Sequence, residues 1–393
     1  MARYPWIHAL GETQERDQAL KITASLKLAI VVGARPNFIK IAPVMKAIEK
    51  HNACSGNRRV EPLLIHTGQH YDFQMSQVFF QELAIPEPDI HLAIGSGTHG
   101  EQTGQAMIEI EKVLIEHKPD MVMVLGDVNS TLAGALAAAK MHIPVAHVEA
   151  GLRSFDRTMP EEINRVLTDH ISDLLFCPTR TAVENLRRED VTNGVHLTGD
   201  VMVDALMSCR EAAEKSKILE RLGLVSRQYL VATIHRAGNT DDKGNLQGIL
   251  DALSASGERV VFPIHPRTRQ AMARMAIEPP ADNVSLVEPL GYLDFLKLVS
   301  HARKILTDSG GLQKEAYILG VPCVTLRENT EWVETLEFGW NTLVGSDEAR
   351  ILAALRDSGT TAQSRAAYGN GQSSVAIVEI LTEYGQHAPP AEA

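Results

Sequence analysis

Short apolar runs, each followed by a glycine-rich or polar turn and then a helical stretch, recur along the first half of the chain. Continuous apolar runs of this length are typical of strands buried on both faces, and their alternation with helices predicts a parallel sheet between two helical layers. The predicted strands are residues 26–32, 62–66, 121–125, 144–148 and 174–177. The predicted helices are residues 39–50, 101–117, 130–141 and 160–172.

The same alternation starts again in the second half, after a charged helical segment at residues 210–227. Its predicted strands are residues 229–233, 260–263, 284–287, 304–307 and 323–326, and its predicted helices are residues 244–255, 292–300 and 311–319. We therefore predict an α/β fold of two doubly wound, Rossmann-like domains that face each other across a cleft. Ligands of such sheets bind at the carboxyl ends of the strands, so the cleft is the predicted site.

The predicted division of the chain has four parts. An N-terminal extension covers residues 1–25, the first domain residues 26–208, the second domain residues 209–372, and a C-terminal helix with a polar tail residues 373–393. The last helix could pack on either domain. A boundary near residue 208 follows from the lack of strand character in the charged segment.

The composition and net charge of the chain exclude several classes of protein. With 44% hydrophobic residues among 393, the chain can bury a large core, and a net charge of −11 argues against a broad nucleic-acid-binding face. The sequence has no apolar run approaching the roughly 18 to 20 residues of a membrane span and no secretory signal, which predicts a cytoplasmic protein without membrane insertion. The cysteines form no CxxC pair, and Cys177 and Cys323 lie in apolar runs typical of core positions.

The first predicted strand ends in a glycine turn, Gly33-Ala34-Arg35-Pro36-Asn37, and Lys40 lies in the helix that follows. A glycine turn before a helix N-terminus can bind an anion, and Arg35 could add a bidentate charge. A tight turn with a surface arginine is the alternative. The turn lacks the GxGxxG pattern, so neither a dinucleotide nor another cofactor is predicted.

A second glycine turn, Thr307-Asp308-Ser309-Gly310-Gly311, joins a predicted strand to a helix that contains Glu315. The glycines free backbone N–H groups to face a phosphate, and the Ser309 hydroxyl adds a donor. Glu315 lies about one helical turn further, where its carboxylate could accept hydrogen bonds from a ribose. The alternative is an ordinary helix cap with glycines for close packing.

Residues 146–169 carry the densest group of titratable side chains. Glu149 ends a predicted strand, Asp127 ends another, and Glu161 lies in the first turn of a helix that begins near Pro160. Carboxylates that converge at one cleft suit the removal and return of a proton. Acidic residues in a first helical turn are also ordinary capping chemistry, and we interpret Glu162 as structural.

The histidines with the most informative positions follow strands of the second half. His235-Arg236 comes after the first of these strands and His265 after the second, both beside the predicted phosphate site. No HExxH motif or Cys/His spacing indicates zinc, and no GxSxG motif indicates an ester hydrolase. No metal site is predicted.

Ten segments together resemble the UDP-N-acetylglucosamine 2-epimerase family, of the non-hydrolysing type and the two-domain GT-B fold. The resemblance covers residues from about 26 to 345, and its segments occur in order between residues 33 and 316: GARPNFIKIAP, HTGQHYD, VLGDVNST, HVEAGLRS, PEEINRVLTD, TGDVMVD, HRAGNTDD, PIHPRT, EPLGYLDF and TDSGGLQKEA. Each motif alone is weak, but ten in the same order make a chance resemblance untenable.

The resemblance implies an isomerase that inverts C2 of the sugar in UDP-GlcNAc to give UDP-ManNAc. UDP is eliminated to leave 2-acetamidoglucal and then added back, without a cofactor, in a homodimer that serves polysaccharide biosynthesis. The catalytic residues implied by the matching motifs are Asp127, Glu149, Glu161 and His235. The substrate-binding residues implied are Arg35, Lys40, Arg153, Arg236, His265, Ser309, Gly310, Gly311 and Glu315.

The sequence departs from the family pattern in three places. Gln69-His70-Tyr71-Asp72 and the segment 330–334 lack arginines that are usual in members activated by a second UDP-GlcNAc, and Gly238 stands where an acidic residue is expected. Four alternatives therefore stay open. They are an epimerase of a modified UDP-sugar such as a diacetamido-uronic acid, a hydrolysing epimerase that releases ManNAc, a GT-B glycosyltransferase and a non-catalytic nucleotide-sugar sensor.

Overall fold

In the computed structural model, the described residues are 25–33, 35–54, 58–68, 87–357 and 366–384. Within these ranges the strands form two parallel sheets. The first sheet has the order β3-β2-β1-β4-β5-β6-β7. Its strands are β1 (Leu26–Val32), β2 (Val60–His66), β3 (Ile90–His91), β4 (Met121–Leu125), β5 (Val145–Val148), β6 (Leu174–Cys177) and β7 (Val195–Leu197).

The second sheet has the order β10-β9-β8-β11-β12-β13, again with parallel pairs among the described strands. Its strands are β8 (Leu230–Thr233), β9 (Val260–Pro263), β10 (Val284–Val287), β11 (Lys304–Thr307), β12 (Cys323–Thr325) and β13 (Asn341–Leu343). Both orders reverse beside the first strand of the sheet, as in doubly wound Rossmann-like domains.

The helices of the first half are α1 (Arg35–Ala53), α2 (His99–His117), α3 (Asn129–Lys140), α4 (Pro160–His170), α5 (Arg180–Arg188) and α6 (Val201–Glu214). Those of the second half are α7 (Ile218–Arg221), α8 (Ala237–Thr240), α9 (Lys243–Ala255), α10 (Pro266–Met275), α11 (Tyr292–Ser300), α12 (Gly310–Leu319), α13 (Glu348–Arg356) and α14 (Ser373–Glu383). A 3₁₀ helix spans Val333–Gly339.

The apolar run of β1 has a direct physical reason. Successive side chains of a strand point to opposite faces, and both faces of this sheet are covered. Ala29 and Val31 pack in the core shared with α2 and α3, whereas Leu28 and Ile30 pack in the core shared with α1. All four side chains are therefore buried, and the strand needs an apolar residue at each of these positions.

The C-terminal helix α14 packs on the first sheet's side of the molecule. Its residues Ile377, Val378 and Leu381 belong to the same buried cluster as Leu28 and Ile30. The chain thus returns to the first half after completing the second sheet.

The predicted fold class is confirmed: the described part of the chain is α/β, with two parallel doubly wound sheets. The short strands β3, β7 and β13 at the sheet ends were not predicted. The division at residues 208 and 209 remains a prediction, and these residues lie within α6. No helix of the described ranges is long and apolar enough to cross a membrane.

Candidate active site

The strand orders reverse between β1 and β4 in the first sheet and between β8 and β11 in the second. The loops that leave neighbouring strands at such a point diverge to opposite faces and open a crevice at their carboxyl ends. Gly33 and Asp127 follow β1 and β4, and His235 and Ser309 lie just after β8 and β11. The topology therefore brings the two predicted glycine turns and two predicted site residues to the carboxyl edges.

Asp127 lies at the rim of this crevice. Its Oδ2 accepts hydrogen bonds from Nε and Nη2 of Arg165, at 3.0 and 2.7 Å, and 28% of its side chain is exposed. Glu161 lies in the first turn of α4, with Oε1 3.7 Å from Nη1 of Arg236, which follows the strand β8. Both carboxylates are partly accessible, and Glu161 already meets a cation from the other sheet.

Glu149 has a different environment, although sequence analysis grouped it with Asp127 and Glu161. It follows β5 with a φ of +73°, and its buried carboxylate lies between Lys40, which pairs with Oε2, and Lys314, whose Nζ is 2.7 Å from Oε1. Burial alone would raise the pKa of Glu149, but the charges and hydrogen bonds of the lysines hold it well below its usual range. Glu149 is therefore an ionised, enclosed carboxylate.

The buried carboxylate of Asp169 holds the segment that carries Glu149 in place. The Asp169 carboxylate accepts hydrogen bonds from the backbone N–H of Gly151 at 3.1 Å and from Nη1 of Arg153 at 2.7 Å, and lies 2.7 Å from Nδ1 of His147. Arg153 also pairs with Glu189, and only 1% of its side chain is exposed. The predicted substrate contact of Arg153 therefore has little geometric support, and this arginine holds the segment in place.

Glu162 fixes the next loop. Its carboxylate accepts hydrogen bonds from the backbone N–H groups of Ser154 and Phe155, at 2.9 and 2.8 Å, and from Nη1 of Arg165 at 2.6 Å. Arg165 is therefore held by Glu162 on one side while it binds Asp127 on the other. This geometry suits the structural role inferred for Glu162.

On the second sheet, the fully buried Asp308 orders the loop after β8. It accepts hydrogen bonds from the backbone N–H groups of His235 and Arg236, at 3.0 and 2.9 Å, and from Nδ2 of Asn239 at 3.1 Å. Burial would raise the pKa of Asp308, but these contacts, that of the His235 ring first, hold it below its usual value. The His235 ring is 38% exposed and its centroid lies 5.6 Å from that of His265.

The second glycine turn caps α12. The Ser309 hydroxyl accepts a hydrogen bond from the backbone N–H of Leu312 at 3.4 Å, and Gly310 and Gly311 begin the helix. Glu315, one turn further, is largely buried. The N-terminus of α12 is thus positioned at the carboxyl edge of the second sheet, where its N–H groups and dipole favour an anion.

Glu331 is a site residue that sequence analysis missed. A Cβ built on Gly310 would lie 2.2 Å from its Oε1, so a side chain at residue 310 would displace the Glu331 carboxylate from this position. Among the described residues, guanidinium nitrogens of Arg327, Arg165 and Arg236 lie 2.9, 3.9 and 4.0 Å from its carboxylate. Burial raises the pKa of Glu331, but these cations lower it further than burial raises it.

Lys314 and Asp200 were also missed. Lys314 lies in α12 and its Nζ is 2.6 Å from Oδ2 of Asp200, the cap residue of α6. One sequence signal could have drawn attention to Lys314: it lies three and four residues after the two glycines of the turn, on the same face of a helix. Asp200 carries no comparable signal, because its partner is distant in the chain.

Lys40 and Arg35, two residues predicted at the first glycine turn and its helix, both belong to α1. Lys40 lies in α1 and contacts Glu149, so the structure brings these predicted residues together. Arg35 begins α1, but its side chain and the segment Gln69-His70-Tyr71-Asp72 lie outside the described residues. Within the described ranges, no group of three or more His, Cys, Asp or Glu side chains is arranged to hold a metal ion.

Two Rossmann-like sheets whose crevices carry carboxylates on one side and anion-binding groups on the other define a protein of the two-domain GT-B class. The family model described as UDP-N-acetylglucosamine 2-epimerase matches residues 52–382. The chain therefore belongs to the UDP-N-acetylglucosamine 2-epimerase family. The predicted family and the predicted isomerase class are confirmed.

Individual relatives agree over nearly their whole lengths. The chain is 52% identical to a UDP-N-acetylglucosamine 2-epimerase homolog of Methanococcus maripaludis, over 91% of this chain and 99% of the relative. It is 46% identical to the UDP-2,3-diacetamido-2,3-dideoxy-D-glucuronate 2-epimerase of Pseudomonas aeruginosa, over 91% and 100%. The crystal structure of Methanocaldococcus jannaschii UDP-GlcNAc 2-epimerase in complex with UDP-GlcNAc and UDP is similar with a TM-score of 0.82 and 46% identity, over 91% and 99%.

Proposed function

We propose that the protein interconverts UDP-GlcNAc and UDP-ManNAc by eliminating UDP from the sugar and adding it back to 2-acetamidoglucal. One observation carries this proposal: Glu161 of the first half lies 3.7 Å from Arg236 of the second, across the crevice. A carboxylate that can move a proton is thus adjacent to a cation that can hold a diphosphate. Elimination of a nucleotide from a sugar needs these two functions side by side.

The chemistry explains why both functions are needed. The C2–H bond of the sugar is not beside a carbonyl group, so a carboxylate can remove this proton only as the C1–O bond to UDP breaks. Negative charge then develops on the diphosphate, and cations and helix N-termini stabilise it. In the second step UDP adds back to C1 and a proton returns to C2 on the face opposite to the one that lost it, which inverts the configuration.

The accessible carboxylates Asp127 and Glu161 suit the proton transfers. We assign them as the groups that remove and return the C2 proton, with the ionised Glu149 stabilising the cations beside them. His235 at the strand end would take part in the departure of UDP. The groups that we assign to substrate binding are Arg35, Lys40, Arg236, His265, Ser309, Gly310, Gly311 and, on the ribose, Glu315.

Proton NMR of the purified protein with UDP-GlcNAc in D2O tests the proposal. The expected product is UDP-ManNAc that carries deuterium at C2, since the proton removed there exchanges with solvent before it returns. A variant of Asp127 to asparagine serves as the matched control, because it keeps the shape of the side chain and removes its basic charge.

Two other outcomes of the NMR experiment would contradict the proposal. Release of free ManNAc with UDP would contradict re-addition and assign the protein as a hydrolysing epimerase. Absence of turnover and of deuterium uptake, despite tight UDP binding, would contradict UDP-GlcNAc as substrate. It would leave a modified sugar or a GT-B glycosyltransferase.

A second candidate substrate is a UDP-diacetamido-uronic acid. The identity to the Pseudomonas aeruginosa 2-epimerase of that sugar is 46% over the whole of that protein, equal to the identity to the Methanocaldococcus jannaschii UDP-GlcNAc 2-epimerase. Competition between the two UDP-sugars in one reaction gives the ratio of their kcat/KM values. A ratio that favours the uronic acid at least tenfold would make it the assigned substrate.

We also propose that the protein is a cytoplasmic homodimer. The outer face of α2 exposes Ile108 and Ile115, and that of α4 exposes Ile163 and Leu167, and a second copy would remove these side chains from water. Light scattering should give twice the mass of one chain, and the double substitution of Ile108 and Ile115 by lysine should give the mass of one. The net charge of −11 argues against a nucleic-acid partner of this assembly.

A further inference from the structure

A buried row of alternating charges joins the two halves of the molecule. It runs from Lys40 through Glu149 and Lys314 to Asp200. Lys314 Nζ lies 2.7 Å from Glu149 Oε1 and 2.6 Å from Asp200 Oδ2, and 1% of the Lys314 side chain is exposed. Burying four charges is costly unless each has partners, so the arrangement is not an accident of surface contacts.

The charges come from opposite sides of the crevice. Glu149 follows β5 of the first sheet, and Asp200 caps α6, whereas Lys314 lies in α12, which packs on the second sheet. The ring of Trp332 covers the ammonium, with its centroid 4.0 Å from Nζ. Carboxylates and an aromatic face therefore enclose Lys314, and it cannot turn to another partner without leaving the row.

The same helix begins at the proposed nucleotide site. Ser309, Gly310 and Gly311 form the N-terminus of α12, and Lys314 lies one turn further along. A helix moves as a rigid element, so a shift of its N-terminus towards a bound diphosphate also shifts the Lys314 ammonium. This links the nucleotide to Glu149 through a single helix.

We propose that Lys314 is a positioning residue of the epimerase, which holds the Glu149 carboxylate from the nucleotide-binding side and so aligns the two halves of the active site. This inference rests on the proposed function. Lys314 is buried, contacts two carboxylates and acts through Glu149. Glu149 in turn holds Lys40, the cation that its other oxygen contacts.

Removal of the Lys314 charge would change the pKa values of the carboxylates that face it. They are Glu149, whose other partner is Lys40, and Asp200, whose charge also acts on the buried Tyr368. Burial lowers the pKa of Lys314, but Asp200 and Glu149 raise it further than burial lowers it, so the ammonium stays charged. The pKa of Asp200 is raised by burial and by the charge of Glu149. Without Lys314, Glu149 would keep only Lys40 and Asp200 would lose the lysine that it faces, so both carboxylates would take up a proton at higher pH.

The test compares Lys314→Met, Lys314→Arg and the control Lys297→Met. Lys297 also pairs with a carboxylate on α6, Glu214, but lies outside the crevice. In Lys314→Met we expect kcat to fall about 100-fold while KM and the Kd for UDP change less than about threefold, since alignment and not binding is lost. Lys314→Arg should recover at least about tenfold in kcat because it restores the charge. Lys297→Met should retain the wild-type kcat.

The pH profile of kcat separates alignment by charge from a general loss of packing. In Lys314→Met the acid limb should move upwards by at least about one pH unit, because Glu149 loses one of the two cations that keep it ionised. In Lys314→Arg it should return to the wild-type position. An unchanged acid limb in Lys314→Met, or equal losses of kcat in the methionine and arginine variants, would overturn the proposal.

A double variant covers the case in which Lys314→Met fails to fold. Lys314→Met with Asp200→Asn removes one buried charge of each sign, and asparagine can still accept the cap hydrogen bond from the Met202 N–H. We expect this variant to fold and to retain the 100-fold loss of kcat, whereas wild-type kcat in it would refute the positioning role. Wild-type turnover is measured first, so that failure of the proposed function is seen independently of Lys314.

Discussion

The two sheets share the same winding but differ in the chemistry at their carboxyl edges. At the first sheet, Asp127 and Glu149 place carboxylates after β4 and β5. At the second, His235 and the Ser309 turn place an imidazole and a helix N-terminus after β8 and β11. The fold alone determines where functional groups lie. The residues at a few strand ends determine whether an edge moves protons or holds phosphate.

Behind each edge lies a buried aspartate, and these also differ. Asp169 faces the charged Arg153 and the His147 ring, together with the backbone N–H of Gly151. Asp308 is held by backbone N–H groups and the amide of Asn239, with the His235 ring nearby. The first sheet thus supports its edge with a buried ion pair, and the second mainly with neutral hydrogen bonds.

The largest effects on kcat and on the Kd for UDP should come from substitutions at the carboxyl edges of the two sheets. Asp127→Asn should lower kcat by about 10²- to 10⁴-fold with little change in the Kd for UDP, since it removes a proton-transfer group. Ser309→Ala should instead raise the Kd for UDP by about tenfold through the loss of a donor. Steady-state kinetics and calorimetry with UDP distinguish the two.

The matched control for Asp127 is Asp120→Asn, at the opposite end of the same strand, where the carboxylate accepts a hydrogen bond from the Lys27 N–H. It should leave kcat unchanged. If Asp127→Asn and Ser309→Ala altered the same parameter, the division of labour between the two edges would be wrong.

The supporting aspartates should differ in stability. Asp169→Asn should cost about 3 kcal/mol, because it removes the buried charge that faces Arg153 and the His147 ring and leaves Arg153 with Glu189 alone. Asp308→Asn should cost about 2 kcal/mol, since most of its donors are neutral. Urea unfolding at pH 7 measures both, and equal losses would remove the contrast between the two supports.

The pH dependence follows from the same carboxylates. The pKa values of Asp169 and Asp308 are lowered in the folded state, although burial alone would raise them. Each therefore stabilises the fold above the unfolded pKa of about 4, and this stabilisation is lost as the pH falls through the folded value. Unfolding free energies of the two asparagine variants should fall less steeply than the wild type below about pH 4.

The smallest expected contrast is in stability, between alanine substitutions of one glycine at each edge. Gly151 has a φ of +79°, and a Cβ there would lie 2.4 Å from the Ala182 carbonyl oxygen, so Gly151→Ala should cost about 3 kcal/mol. Gly238 in α8 has open space around it, and Gly238→Ala should change stability by less than about 1 kcal/mol. Thermal unfolding checks both, and a large loss at Gly238 would mean that this departure from the family pattern has a structural cost.

The local sequence was sufficient to predict the bounds of strands that are buried on both faces. The bounds predicted for β1, β4 and β6 agree with the structure, because strands buried on both faces are largely continuous apolar runs. The end strands β3 and β13 have only two and three residues, and such a length contains no pattern to detect.

The residues of the candidate site also fall into a group that the sequence could predict and a group that it could not. Asp127, His235 and Ser309 could be predicted because each follows an apolar strand. The contacts of Lys314 and Glu331 could not, since both depend on partners from the other side of the crevice or from a distant loop. A charged residue in a helix is normally solvated, and only tertiary packing reveals the exception.

The position of α14 has a consequence for how the protein is made. Ile377, Val378 and Leu381 complete the core that contains Leu28 and Ile30 of β1. A ribosome releases the first strand long before it adds the last helix, so the first half cannot bury this surface until synthesis is nearly finished. Contacts so distant in sequence slow folding and prolong the exposure of apolar surface. We therefore expect nascent chains that stop before α14 to depend on chaperones, even though both sheets are already encoded.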